Sequence, residues 1–273
     1  MPNLRIVSDN ALERAATLTA STTAGALAAS NLVNWKKSSF HRATANSVTY
    51  TATWAAAETI SCVALPFCNL SPTATIRVRL YASDGTTLLY DSGTKLACPA
   101  PALRPRGFTA AQAASAYAYG GGAYARLWFA PVSAFKIVVD LVDTNNLQGY
   151  IEAACMVVGA YWSPVYNTGA APVVPLDSSE NIGTGGGDTC GEAGFISKEI
   201  PVDMSYFGAG DRATLMNMAR NSSVYPVLVS VYPEDPDLAR ERDYMAYATR
   251  SKSSAIAMKY AAGYTTSITF KEV

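Results

Sequence analysis

Thr75-Ile-Arg-Val-Arg-Leu-Tyr81, followed by Ala82-Ser-Asp-Gly85 and Thr87-Leu-Leu-Tyr90, decides the fold class. Ile76, Val78 and Leu80 alternate with Arg77, Arg79 and Tyr81, the period of two that a strand with one buried face requires. Ser83-Asp84-Gly85 supplies the residues of a tight turn, and Thr87–Tyr90 returns as the second arm of a hairpin. Upstream, Ser47–Trp54 alternates in the same way, and Glu58–Leu65 follows before a break at Pro66–Pro72. Downstream, Ala123–Phe129, Ala134–Leu141 and Tyr150–Val158 add three strands. Six or more short strands with turn signals between them predict a β-sandwich of jelly-roll type over residues 1–165.

Pro99–Gly122 interrupts this pattern with a proline-rich first half and a Tyr-Ala-Tyr-Gly-Gly-Gly end, so a long surface loop open to partner contact is expected there. From Ser163 to Gly194 the chain is rich in Gly, Pro, Ser and Thr without periodicity, and residues 166–194 read as a linker or extended arm. Residues 195–273 then read as a smaller α+β unit. It has a strand at Ile196–Val202 and a helix from an N-cap at Asp211 to Asn221, with Leu215, Met218 and Ala219 as its apolar stripe and Met216 beside it. A central strand follows at Tyr225–Tyr232, with Pro226 near its start. Pro233–Arg242 reads as a charged loop, and strands Tyr244–Thr249 and Thr265–Phe270 close the unit around Ser253–Ala262. The fold class is therefore mainly β: a β-sandwich, then an α+β domain.

The chain has 273 residues, with Lys+Arg 21 and Asp+Glu 21, so its formal net charge is zero. That balance removes the long-range attraction expected of a nucleic-acid or anionic-membrane binder. Charged residues make up 15%, against roughly 25% in ordinary soluble domains, while hydrophobic residues reach 49%. A surface so thin in charge is expected to end against other protein, copies of itself included. No apolar run is long enough to span a bilayer, and Arg5, Asp9, Glu13 and Arg14 break any signal-peptide core. Cys62, Cys68, Cys98, Cys155 and Cys190 are odd in number and form no CxxC pair, which points to reduced, mostly buried thiols in a chain made in the cytosol. A Cys62–Cys68 disulfide is the lesser alternative.

His41 is the single histidine, and this removes most catalytic chemistry. A zinc site would rest on Cys and carboxylates at unsuitable spacings, and a nucleophilic triad would need His41 itself with no GxSxG elbow to accompany it. Gly183-Thr-Gly-Gly-Gly-Asp188 lacks the Lys-Ser/Thr of a phosphate loop. Asp143-Thr-Asn-Asn146 opens like a calcium loop but lacks the Gly and Glu at the later offsets, so a polar turn is expected. No catalytic, cofactor-binding or metal residue is assigned, and no cofactor is expected.

Two stretches carry a resemblance. Asn31-Leu-Val-Asn-Trp35, Ile60–Leu65 running into Phe67–Val78, and Ala82-Ser-Asp-Gly85 resemble the discoidin, galactose-binding-like jelly roll. Phe135-Lys-Ile-Val-Val-Asp140, Gly149-Tyr-Ile-Glu152 and Val158–Trp162 are similar to the closing segment of such modules in virion proteins of tailed bacteriophages. Asp203–Phe207, Asp211–Leu215, Tyr225–Val229 and the terminal Ser267–Val273 resemble the ring-forming part of phage distal tail, or minor tail, proteins. The resemblance implies a structural subunit of a tail tip or baseplate, made in the bacterial host cytoplasm and located in the virion. It implies a self-associated ring of trimeric or hexameric order touching the tail tube, hub or fibres.

Trp54 and Trp128, inside strands, are expected in the core, whereas Trp35 and Trp162, at strand or loop ends, are interface candidates. The alternative function is a carbohydrate-binding module attaching to a host-surface glycan. Loops Asn34–Arg42 and Asn69–Thr73 would carry the site, with Trp35, His41 and Arg42 as the platform. The plainer reading of Lys36, Lys37 and Arg42 is a solvated loop. Catalysis with His41 as general base ranks third.

Overall fold

The computed structural model describes residues 2–99, 107–115, 117–169, 171–221, 224–251, 254–260 and 263–273. Parts of the expected loop 99–122 (100–106 and 116), of the arm (170) and of the 253–262 stretch (253, 261 and 262) lie outside the described residues. Among the described residues the chain is mainly β: a curled jelly-roll sandwich of nine strands, then a smaller α+β unit built on a second sheet of seven.

Two long strands make the sandwich. Ser47–Cys68 runs antiparallel to Ala123–Val142 along most of its length. Each does the work of two strands expected from the sequence. The register explains why: Thr53 faces Lys136 and Glu58 faces Ala134, so Trp54–Ala57 on one strand oppose Phe135 alone on the other. Such a bulge bends a pair without breaking it. On one side of the bend Ser47–Cys68 takes Thr17–Ala20 as its other neighbour, and on the far side Val157–Gly159. Thr75–Tyr81 adds to the second long strand, and the sheet curls around one core.

Ile76, Val78 and Leu80 are wholly buried there with Tyr50, Ile60, Leu65 and Leu141, as the alternation requires. Each such side chain contributes roughly 1.5–3 kcal/mol. On the solvent face Arg77 pairs with Asp91 and Arg79 with Asp140. The Ser83–Gly85 turn forms as read, with Asp84 accepting from the N–H of Thr86 and Thr87 at 3.0 and 2.8 Å and Gly85 at φ +68°. Tyr150–Val158 is not one strand but two short ones, Glu152–Ala153 and Val157–Gly159.

The second sheet runs in the order Arg5–Val7, Val227–Ser230, Met245–Arg250, Gly263–Glu272, Ile196–Phe207, Val174–Asp177, with Ala257–Tyr260 also on Gly263–Glu272. Helix Ala209–Asn221 packs Leu215 and Met218 onto it while Met216 stays in solvent.

Four expectations change here. The span 1–165 is not all sandwich, because Arg5–Val7 pairs with Val227–Ser230 and so belongs to the second sheet. The 166–194 linker contains a strand, Val174–Asp177, paired with Ile196–Glu199, and a hairpin. Asp211 is not the N-cap: the helix starts at Ala209, and the Asp211 carboxylate takes the Trp162 indole N–H at 3.2 Å. The charged loop 233–242 contains a short helix, Leu238–Asp243, capped by Asp237.

The units share a third apolar cluster, including Val7, Cys62, Phe67, Tyr124, Trp128, Leu228, Met245 and Tyr247. Alternation along Ala123–Phe129 builds it: Ala123, Ala125 and Phe129 enter the sandwich core, while Tyr124, Arg126 and Trp128 face the second unit. Trp54 is in the sandwich core, donating to Ala11 O at 2.7 Å, but Trp128 is buried in the junction. All five cysteines are free thiols; only Cys190 is exposed.

Candidate functional site

One end of the sandwich gathers the loops 34–42, 69–73 and 143–152. Asp143 starts a polar turn, as expected, and its buried carboxylate accepts from Ser71 N at 2.7 Å and Ser71 Oγ at 2.6 Å. Asn69 bridges the loops by donating to Gln148 Oε1 and Tyr150 O and accepting from Glu152 N at 2.7 Å. A network in which each buried polar group has a partner makes a rigid end rather than a mobile one.

Above it sits a cluster the sequence reading found only in part. Glu152, buried at 1% exposure, holds Arg42 through Nε at 2.7 Å and a terminal nitrogen at 2.6 Å, and its other oxygen accepts from Tyr117 Oη at 3.1 Å. The Arg42 guanidinium lies 4.4 Å from the Tyr150 ring and 5.5 Å from Phe40, a cation–π stack that leaves a third of its side chain in solvent. Arg42 is thus fixed, not merely solvated. Lys37 leans over Phe67 at 4.3 Å, and its burial lowers the ammonium pKa.

The four residues singled out from the sequence do not form one site. Trp35 is 39% exposed on the loop that leads to Arg42. His41 turns inward and is wholly buried, with Nδ1 against Tyr50 Oη at 2.9 Å and Nε2 against Thr22 O at 3.1 Å. It is neither a platform residue nor a base within reach of solvent, because strand alternation sends it into the core while Arg42 points out. Trp162 ties the units together through a backbone bridge to Ile6 and its indole bond to Asp211, so its contact lies within the chain. Tyr117, Tyr150 and Glu152 carry no site role on sequence grounds, where the Gly149-Tyr-Ile-Glu152 stretch is the available signal. Among the described residues no three His, Cys, Asp or Glu side chains converge as metal ligands.

The second feature is the hairpin Glu180–Gly183 with Thr189–Glu192, which pairs with nothing else among the described residues. Both its strands are exposed along their length, and Ile182 leaves 53% of its surface in water. The Gly183–Asp188 run is its tip, closed by Thr184 N to Asp188 O at 2.7 Å with Gly187 at φ +86°. Ser178 and Phe195 close the root. A Cβ on Gly120 would sit 2.1 Å from Ile196 O, so glycine there lets the 117–122 segment lie against the root.

No protein-family model and no curated protein matches the chain. Among solved structures, it is similar to chitosan-binding module 1 of a chitosanase/glucanase from Paenibacillus sp. IK-5, at 15% identity over 56% of this chain and 99% of that one, with a TM-score of 0.37. The CBM32 of AlyQ, in complex with 4,5-unsaturated mannuronic acid, is similar at 16% identity over 53% and 94%, with a TM-score of 0.35. CpGH89CBM32-5 of Clostridium perfringens, in complex with GalNAc-β-1,3-galactose, is similar at 13% identity over 53% and 94%, with a TM-score of 0.36.

Proposed function

We propose that the chain is a non-catalytic structural subunit that works pressed against other protein, and that its setting is the virion, at the tail tip or baseplate of a tailed bacteriophage. The observation that supports this reading is the arm at 178–194. A two-stranded ribbon in water is marginal, and one with both faces in solvent gains no stability from burial within its own chain. Glu180, Asp188 and Glu192 give it three carboxylates with no Lys or Arg among them, so the matching surface is basic. Low overall charge supports the same reading, since a covered surface needs fewer ions. Repetition of one arm-to-neighbour contact around an axis closes a ring.

The test is sedimentation of the full chain against a variant in which 180–192 is replaced by a short Gly-Ser turn, which the closed root tolerates. The full chain is expected to associate and the variant to remain single with unchanged melting temperature. A full chain that stays monomeric at every concentration overturns the reading.

Carbohydrate, the ligand class of the compared modules, is the second reading for the sandwich. The observation favouring it is the exposed Trp35 on a loop whose far end holds the Arg42–Tyr150 stack on a rigid base. A glycan array with the full chain decides it: binding that disappears in Trp35→Ala supports the reading, and an array with no bound glycan rejects it.

A further inference from the structure

A cleft of about 230 Å³ opens where the units meet, lined by Asp9, Asn10, Glu13 and Val157 on one side and Tyr225 and Tyr247 on the other. Neither the arm nor the sandwich loops contribute to it, and the inference does not rest on the function proposed above.

Its walls are fixed. Asn10 caps the one-turn helix Ala11–Arg14 by accepting from Leu12 N, donates to Met156 O at 2.9 Å and accepts from Val158 N at 3.0 Å. Asp9 is held by Arg14 at 2.7 and 2.9 Å, and the same guanidinium also serves Glu58. One cation therefore answers two carboxylates, and the third nearby, Glu13, has no ion pair among the described residues. The local balance is negative in a molecule whose net charge is zero.

The opposite wall holds an unused donor and acceptor. Tyr247 is 5% exposed, and its backbone N–H is taken by Tyr124 Oη at 3.0 Å. Its side chain lines the cleft, and its hydroxyl makes no hydrogen bond among the described residues, so that donor and acceptor are open to an occupant. Burial raises its pKa, the Glu13 charge adds to that, and the phenol stays protonated. Tyr225, 56% exposed, offers its ring at the rim.

We propose that this cleft binds a single ammonium or guanidinium group, with Glu13 as counter-ion, Tyr247 Oη as hydrogen-bond acceptor and the Tyr225 ring as a cation–π face. An anion would meet the Glu13 carboxylate without compensation, and a neutral hydroxyl would leave Glu13 unpaired. Two sources present this chemistry: a Lys or Arg side chain of a second copy, or a free amine.

The test is calorimetric titration of the full chain with Nα-acetyl-lysine methylamide and its arginine counterpart. Saturable one-to-one binding is expected for both, and none for the lysine probe acetylated at Nζ. Glu13→Gln is expected to weaken binding roughly tenfold or more, the range for losing a hydrogen bond to a charged group. Tyr247→Phe keeps the ring and weakens it severalfold, whereas Asp203→Asn, at an exposed carboxylate outside the cleft, changes nothing. Equal binding of the acetylated probe, no binding of either cation, or an unaffected Glu13→Gln overturns the proposal. Sedimentation with saturating lysine probe then separates the sources: dissociation of an oligomer assigns the occupant to a second copy, and an unchanged profile to a free amine.

Discussion

Arg126 and Glu241 meet across the junction of the two units in a two-pronged ion pair, Nε to Oε1 at 2.8 Å and a terminal nitrogen to Oε2 at 2.6 Å. Glu241 is wholly buried and also accepts the Glu234 N–H at 3.1 Å, so the short helix Leu238–Asp243 is pinned to a strand of the sandwich. The parallel fork is the geometry in which a guanidinium and a carboxylate bind most tightly. Close by, Tyr124 Oη donates to Glu272 at 2.6 Å while receiving Tyr247 N–H. The units are thus joined by directed polar bonds inside an apolar cluster.

Removing one member of this pair should cost far more than removing both. Glu241→Ala leaves the Arg126 charge nearly buried and is expected to lower stability by about 3–5 kcal/mol in urea unfolding. Arg126→Met combined with Glu241→Leu is expected to be close to neutral. Equal losses in the single and double variants would contradict the account.

His41 makes stability depend on pH below neutrality. Burial lowers its pKa in the folded chain from the ordinary 6.5, against a weaker opposing pull from the Thr22 carbonyl. The unfolded chain therefore takes up the proton more readily, and this part of the stability is complete above pH 6.5 and drains away as pH falls below it. Melting temperatures between about pH 7.5 and pH 5 should fall less steeply in His41→Gln than in the parent. Parallel curves would show that His41 is not the group responsible.

Thiol chemistry should single out the arm. Cys190 is the exposed cysteine, while burial pushes the Cys62 and Cys155 thiols up and keeps them protonated. A colorimetric thiol reagent is expected to modify one cysteine quickly in the native protein and the other four only on unfolding. Fast reaction of a second thiol would mean that the core opens.

Gly159 holds a wall of the cleft at the junction. A Cβ there would lie 2.3 Å from the carbonyl oxygen of Asp9, which is backbone and has no rotamer to escape into. Gly159→Ala is expected to lose about 1–3 kcal/mol and to weaken binding of the lysine probe. A variant as stable as the parent would show that Ser8–Asn10 moves freely.

The sandwich was legible because alternation in Ile76–Tyr81, Ser47–Trp54 and Ala134–Leu141 reports a local fact, which face of a strand is wet. What alternation does not carry is partner identity. Arg5-Ile-Val7 reads as any short apolar run, and nothing local says that its neighbour is Val227–Ser230. The same gap hid the junction, since Tyr124, Arg126 and Trp128 look like a solvent face with one odd tryptophan until a second unit covers them. His41 and Arg42 illustrate the limit for sites. Adjacency in sequence suggests one platform, and the strand sends the two side chains to opposite sides.

The pairing of Arg5–Val7 with Val227–Ser230 has a consequence for biosynthesis. These three residues leave the ribosome long before their partner strand, and apart from the Ile6 bridge to Trp162 they wait unpaired while the whole sandwich and two strands of the second sheet are made. Their docking is a late, long-range closure, slow in the sense that distant contacts always are. It also staples the chain into a loop, so a protease cut near residue 165 would nick the molecule without releasing either half.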